Sequence, residues 1–199
     1  MPSPTSKRGK KAKERKEPER AGYWALLRAV PKTVAKLGFR GLTCRALADE
    51  AGVTYGLISY HFGTREVLIE DAAKLAVEEA IVAAILVPES GEIEDFSSGL
   101  TALLREEPAG QAFQFDLVTE SIRNKKLRPP VKELYTRYVG AVEDALHEFG
   151  IDDDPYLAQV IFAALDGLIL QQFIFEDEAE TERAIARLRE IIAAVAATR

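Results

Sequence analysis

Three hydroxyls recur through one stretch of this chain: Thr43, Thr54 and Thr64. A threonine hydroxyl accepts from the backbone N–H groups left free in the first turn of a helix, so each marks a helix start. Gly52 and Gly63 stand just ahead of the second and third, where a left-handed residue ends a helix. Between these marks Leu47, Ala48 and Ala51 recur at helical spacing, and Leu57 or Ile58 with Phe62 gives the next segment a buried side. Val53 plugs the angle between the two. Two short helices joined by a tight turn and followed at once by a third form a helix-turn-helix, a device that lays one helix in the major groove of DNA. The chemistry expected of this stretch is contact with double-stranded DNA.

Other chemistries lack their parts. His61, His147 and the lone Cys44 cannot assemble a metal site, and there is no glycine-rich phosphate loop and no Ser-His-Asp spacing. No enzyme activity, cofactor or metal is expected. One cysteine forms no disulfide within the chain and fits a reducing cytoplasm. The basic N-terminus lacks the apolar run of a signal peptide. The most apolar segment, Leu157 to Phe175, contains Gln159, Asp166, Gln171 and Gln172, which argues against a membrane span.

The net charge of −6 averages two opposed parts. Residues 1–65 hold fourteen Lys and Arg against five acids, and the remainder holds twelve against twenty-seven. A basic end carrying a helix-turn-helix is the electrostatic footprint of DNA binding. The acidic remainder is not expected to touch DNA.

The elements that position these residues read as all-α. Residues 1–20, polar and nearly free of large apolar side chains, read as a disordered basic arm. Residues 21–65 read as the DNA-binding domain, opened by a helix over 21–37 that Pro31 either bends or splits. Residues 66–199 read as a larger helical domain for ligand binding and dimerisation. Its first helix runs from about Arg65 to Leu86, with Val67, Leu68, Leu75, Val82 and Leu86 periodic. Further helices follow near 93–106, 109–124, 128–149, 155–175 and 179–197. The helix over 155–175 is apolar almost all round and must be buried on two faces. One face is expected on its own domain and the other on a second copy of the chain. Leu168, Gln171, Phe175, Leu188 and Ile192 are the expected interface of a twofold homodimer.

The residues Gly38-Phe-Arg-Gly-Leu-Thr43, Arg45, Leu47-Ala48, Ala51-Gly-Val53, Tyr60-His-Phe62 and Arg65-Glu-Val-Leu68 resemble the TetR family of bacterial transcriptional regulators. The likeness covers about the first quarter of the chain; beyond it only pattern remains, with Ala164-Leu-Asp-Gly-Leu-Ile-Leu170. It implies a dimer whose N-terminal helices bind operator DNA until a small-molecule effector in the C-terminal domain releases it. By position it implies DNA contacts from Thr43, Cys44 and Arg45 on the supporting helix. It implies base reading by Tyr55, Gly56 and Leu57, after Thr54, and phosphate contacts from Tyr60, His61 and Arg65. It also implies a pocket, for which Phe113, Phe115, Leu117, Tyr135, Tyr138, Phe162 and Asp166 are candidates. Asp166 is either a satisfied buried group or one that orients a ligand. Three positions depart from the pattern: the family usually has Lys or Arg at Tyr55, Thr or Ser at Leu57, and Tyr at Ser59. Apolar contact with thymine methyls and backbone approach at Gly56 fit this altered reading face. A repressor is the expected function; an activator or an effector-independent DNA-binding regulator is the alternative, and a helical interaction module a further one.

Overall fold

The computed structural model describes residues 6–152 and 154–198, with side chains described for 20–152, 154 and 156–198. Among these residues every regular element is helical: α1 (Ser6–Leu37), α2 (Cys44–Ala51), α3 (Gly56–Phe62), α4 (Arg65–Ala83), α5 (Leu100–Glu106), α6 (Pro108–Arg123), α7 (Arg128–Glu148), α8 (Pro155–Phe175) and α9 (Glu178–Ala196). Short 3-10 turns cover Phe39–Gly41, Ile93–Asp95 and Lys125–Leu127.

The arm expected over 1–20 differs from what is found. From Ser6 onward it continues as α1, and residues 1–5 lie outside the described residues. Lys, Arg, Glu and Ala are strong helix formers and need no core to extend a helix already anchored downstream. Pro31 neither ends nor splits the helix.

Two apolar cores organise the chain. The first joins Leu26, Leu27, Val30 and Val34 of α1 to Leu47, Ile58, Phe62, Leu68 and Ile69, and it recruits Phe113, Leu117 and Leu127 from much further along the sequence. The second collects Val77 and Ala80 of α4 with Phe96, α5, α7, α8, Ile185 and Ile192. Helix α4 thus contributes to both cores, through Leu68, Ile69, Ala72 and Ala73 at its start and Val77 and Ala80 towards its end. Val67 and Val82, expected on its apolar stripe, are exposed.

Helix α8 is apolar and long enough to cross a membrane by length and composition alone. Ala158, Ile161, Phe162 and Leu165 bury one side, while Tyr156, Val160, Leu170, Ile174 and Phe175 are exposed. Of the five expected interface residues, Gln171 and Phe175 are exposed, and Leu168 and Leu188 are half-buried against the second core. Ile192 corrects the expectation: it is 1% exposed inside its own protomer, whereas neighbouring Ile191 is 52% exposed. Adjacent residues on a helix point about 100° apart, so the apolar pair at 191 and 192 leaves the phase open to an error of one residue.

Candidate nucleic-acid interface and effector cavity

The helix-turn-helix is built much as its punctuation demands. The Thr43 hydroxyl accepts from the Ala46 N–H at 3.1 Å and caps α2. Gly52 closes α2 at φ 64°, a left-handed conformation that costs a residue with a Cβ of the order of 1 kcal/mol or more. The Thr64 hydroxyl caps α4 by accepting from the Val67 N–H at 3.2 Å. Thr54 is a correction: α3 starts at Gly56 without a side-chain cap, and the Thr54 carbonyl accepts from the Leu57 N–H at 3.0 Å. The backbone turn satisfies the donor that the hydroxyl was expected to take.

These elements surround a shallow surface groove lined by Thr43, Cys44, Arg45, Tyr55, Ser59, Thr64 and Arg65, among others. Arg45 is exposed and has no ion-pair partner among the described residues. Tyr55 is 60% exposed and Tyr60 68%, so both offer their phenols to a partner. Ser59, marked in the sequence as a departure on the reading face, sits one turn beyond Tyr55 on the same wall.

Three candidates are turned differently. Leu57 is half-buried, because Gly22 of α1 leaves room for it: a Cβ on Gly22 would stand 3.0 Å from Leu57 Cδ2. His61 is wedged edge-on against Tyr23, Tyr60 and Phe62, with its Nε2 buried and unpartnered. Arg65 donates from Nη1 to the Leu42 carbonyl at 2.8 Å and from Nη2 to Glu66 at 3.1 Å. Its fork pins the end of the α1–α2 connection to the start of α4.

The second core encloses a cavity of about 40 Å³ lined by Leu86, Leu100, Leu103, Gln111, Gln114, Phe115, Val118, Tyr135, Tyr138, Phe162, Leu165, Asp166 and Ile169, among others. Five expected residues, Phe115, Tyr135, Tyr138, Phe162 and Asp166, meet there. Phe113 and Leu117 do not; both lie in the first core. The apolar residues of α6 run nearly all round it, and the cavity takes the face 111, 114, 115 and 118 instead. The Tyr138 hydroxyl donates to Gln114 Oε1 at 2.8 Å, and the Tyr138 ring stacks on Phe162 at 5.1 Å. Gln114 Nε2 is buried without a partner. The Tyr135 hydroxyl donates to Asp166 Oδ2 at 3.4 Å. Tyr135, Phe162 and Asp166 also line a larger outer groove of about 420 Å³ between α7 and α8, with Glu143 and Gln159. These three residues partition the cavity from the groove.

A family model described as "Tetracyclin repressor-like, C-terminal domain" matches residues 91–196, more than half of the chain, and one described as "Bacterial regulatory proteins, tetR family" matches residues 27–72. The chain belongs to the TetR family.

Solved TetR-family structures agree in fold. A TetR-family transcriptional regulator from Rhodococcus sp. is similar at 25% identity and a TM-score of 0.72, covering 89% of this chain and 98% of that one. A TetR-family member from Streptomyces coelicolor A3 is similar at 24% identity and a TM-score of 0.67, covering 84% and 97%. The multidrug binding protein EbrR complexed with ethidium is similar at 26% identity and a TM-score of 0.60, covering 84% and 98%. No curated protein matches.

TetR-family regulators bind DNA, and the electrostatics of this member differ between its two ends. In the cavity, burial raises the Asp166 carboxyl above its ordinary value against the opposing Tyr135 hydrogen bond. Burial also raises the Tyr135 phenol to about 12, aided by the Asp166 charge. Among the described residues Asp166 is the one charged group lining that cavity, and no basic residue lines it. At the head, Glu66 titrates below its ordinary value: its own backbone N–H lowers it most, burial opposes, and Arg65 and then Lys126 lower it further.

Proposed function

We propose that the chain is a dimeric, effector-responsive cytoplasmic repressor that binds an inverted-repeat operator and is released by a small amphipathic effector. The observation that carries this reading is the double face of α6. Gln111, Gln114, Phe115 and Val118 wall the cavity, while Phe113 and Leu117 of the same helix fill the core of the DNA-binding head. A ligand that moves the first face moves the second. Release then follows if the ligand binds more tightly to the head spacing that fits DNA poorly.

The walls define the effector. They are mostly apolar, with Gln114 Nε2 as an unused donor and Asp166 as an uncompensated acid. A planar aromatic cation answers two of these features, the apolar walls by stacking on Tyr138 and Phe162 and the acid by pairing with Asp166. The similar EbrR structures hold ethidium and proflavin, which are of that class. A cavity of about 40 Å³ has room for only a few waters, so entry requires the Tyr135–Asp166 partition to part and join it to the outer groove.

The exposed faces of α8 and α9 supply the dimer contact. Leu170, Ile174, Phe175 and Ile191 would pair with the same residues of a second copy about a twofold axis. Two heads would then read half-sites about 34–36 Å apart or at a multiple of that spacing.

Selection of bound duplexes from a random pool tests the reading. An inverted repeat whose complex with the wild type dissociates at an ethidium concentration that leaves the complex of an Asp166→Asn variant intact is the expected result, since intercalation of ethidium in the duplex would act on both alike. Recovery of no common sequence overturns the operator. An operator complex indifferent to ethidium, to its uncharged ring system phenanthridine and to proflavin overturns release by an effector of this class.

A further inference from the structure

The C-terminal part is acidic overall, yet one segment of it is not. Residues 121–132 hold Arg123, Lys125, Lys126, Arg128 and Lys132 with no acid. All five are exposed. None forms an ion pair among the described residues, whereas Lys74, Arg105, Arg137, Arg183, Arg187 and Arg189, the other described cations beyond residue 65, all do. Unneutralised cations held together repel one another, so such a cluster costs stability until an anion covers it.

Its position says which anion. Leu127, in the middle of the cluster, is buried in the head core beside Phe113 and Leu117. Helix α6, which delivers the cluster, packs along α1 and reaches the Phe39–Gly41 turn that leads into the Thr43 cap of α2. Exposed Arg40 lies on that turn. Lys126 is near enough to the start of α4 for its charge to act on Glu66, the neighbour of Arg65. The basic segment therefore belongs spatially to the head, although it belongs in sequence to the other domain.

We infer that the Arg123–Arg128 segment is a second DNA-contacting surface, which binds phosphates of the duplex outside the bases read by α3. The inference rests on the DNA-binding reading of the helix-turn-helix. Its chemistry is that of flexible lysines and arginines on phosphate, without sequence preference. It adds affinity and salt dependence rather than specificity. It also ties DNA occupancy to α6, the helix that walls the cavity, so operator and effector act on the two ends of one element.

The test uses the full chain and an inverted repeat recovered by selection. The repeat is made with about ten extra base pairs, one helical turn, on each side and also trimmed to its half-sites. Lys125→Gln with Lys126→Gln is expected to weaken binding to the long duplex several-fold and to lower the slope of log affinity against log salt by about 0.9 for each phosphate that is no longer neutralised. The same variant is expected to bind the trimmed duplex as the wild type does and to select the same repeat. Arg105→Gln with Arg137→Gln removes equal charge from α5 and α7, away from both the head and the α8–α9 contact, and is expected to change neither.

An equal loss in both double variants means that net charge alone is at work and overturns the inference. So does an unchanged affinity and slope in the folded Lys125 and Lys126 variant. Binding to phosphatidylserine vesicles that is abolished in this variant while DNA affinity stays the same assigns the patch to a membrane and overturns it as well. Arg45→Ala on the same duplex separates the two readings. If Arg45 matters and the lysines do not, only the second surface fails; if neither matters, the head assignment has failed first.

Discussion

Phe113 and Gln114, adjacent on α6, face different compartments: the Phe113 ring is 1% exposed in the core of the head, and the Gln114 amide accepts from Tyr138 at 2.8 Å in the cavity. One peptide unit thus separates a DNA-side packing residue from a ligand-side polar group. A rotation or slide of α6 cannot alter one environment and leave the other as it was.

Truncating either face should separate the two roles. Phe113→Ala is expected to cost about 3–5 kcal/mol of stability and to weaken DNA binding with it. Phe115→Ala is expected to cost less, because Phe115 borders a cavity rather than filling a core, and to impair ethidium binding while DNA affinity holds. Urea unfolding and fluorescence anisotropy with labelled operator measure the two effects.

Arg65 is expected to act in stability as well as in DNA affinity. Its charge-assisted bond to the Leu42 carbonyl is the kind worth about 1.5–3 kcal/mol. Arg65→Lys keeps the charge and loses the fork, so it should lower the unfolding midpoint nearly as much as Arg65→Ala does. A lysine variant as stable as the wild type would show that the pin is unimportant.

Asp166 gives a pH dependence of definite sign. Its carboxyl titrates above its ordinary value in the folded protein, so the folded state holds that proton more tightly than the unfolded chain. The favourable contribution is complete below the ordinary value of 3.8 and is lost as pH rises through the folded value. Asp166→Asn should therefore stabilise the protein at neutral pH, with a gain that shrinks towards zero in acid. Thermal melts across pH measure it, and a gain that grew in acid would contradict it.

Ile191 and Ile192 test the contact between copies. Ile191→Glu is expected to leave the fold intact and to yield a monomer of low operator affinity in sedimentation. Ile192→Glu places a charge in the protomer core and is expected to unfold the C-terminal helices by several kcal/mol. A dimeric Ile191→Glu variant would move the interface elsewhere.

What could be read from sequence was local. The Thr43 and Thr64 caps and the Gly52 and Gly63 stops act within a turn of their own residues, so neighbouring sequence determined them. The misjudged residues are those whose environment is set by distant partners. Apolar side chains at 113, 115, 117 and 118 leave α6 without a single stripe, and only the packing of α1 against it decides that Phe113 and Leu117 face the head. The Thr54 hydroxyl lost to a backbone turn of equal reach. The basic segment at 123–132 was visible as a run, but averaging it into an acidic domain hid it.

The opposed charges of the two parts bear on how the protein arrives, not only on how it stays. Fourteen cations against five acids at one end and twelve against twenty-seven at the other make the molecule an electric dipole. In the field of a duplex such a dipole feels a torque that turns the head inward before contact. The torque fades beyond the screening length of about 8 Å at physiological salt, so it acts in the last moments of approach. Raising ionic strength should therefore slow productive encounters by letting more of them begin backwards.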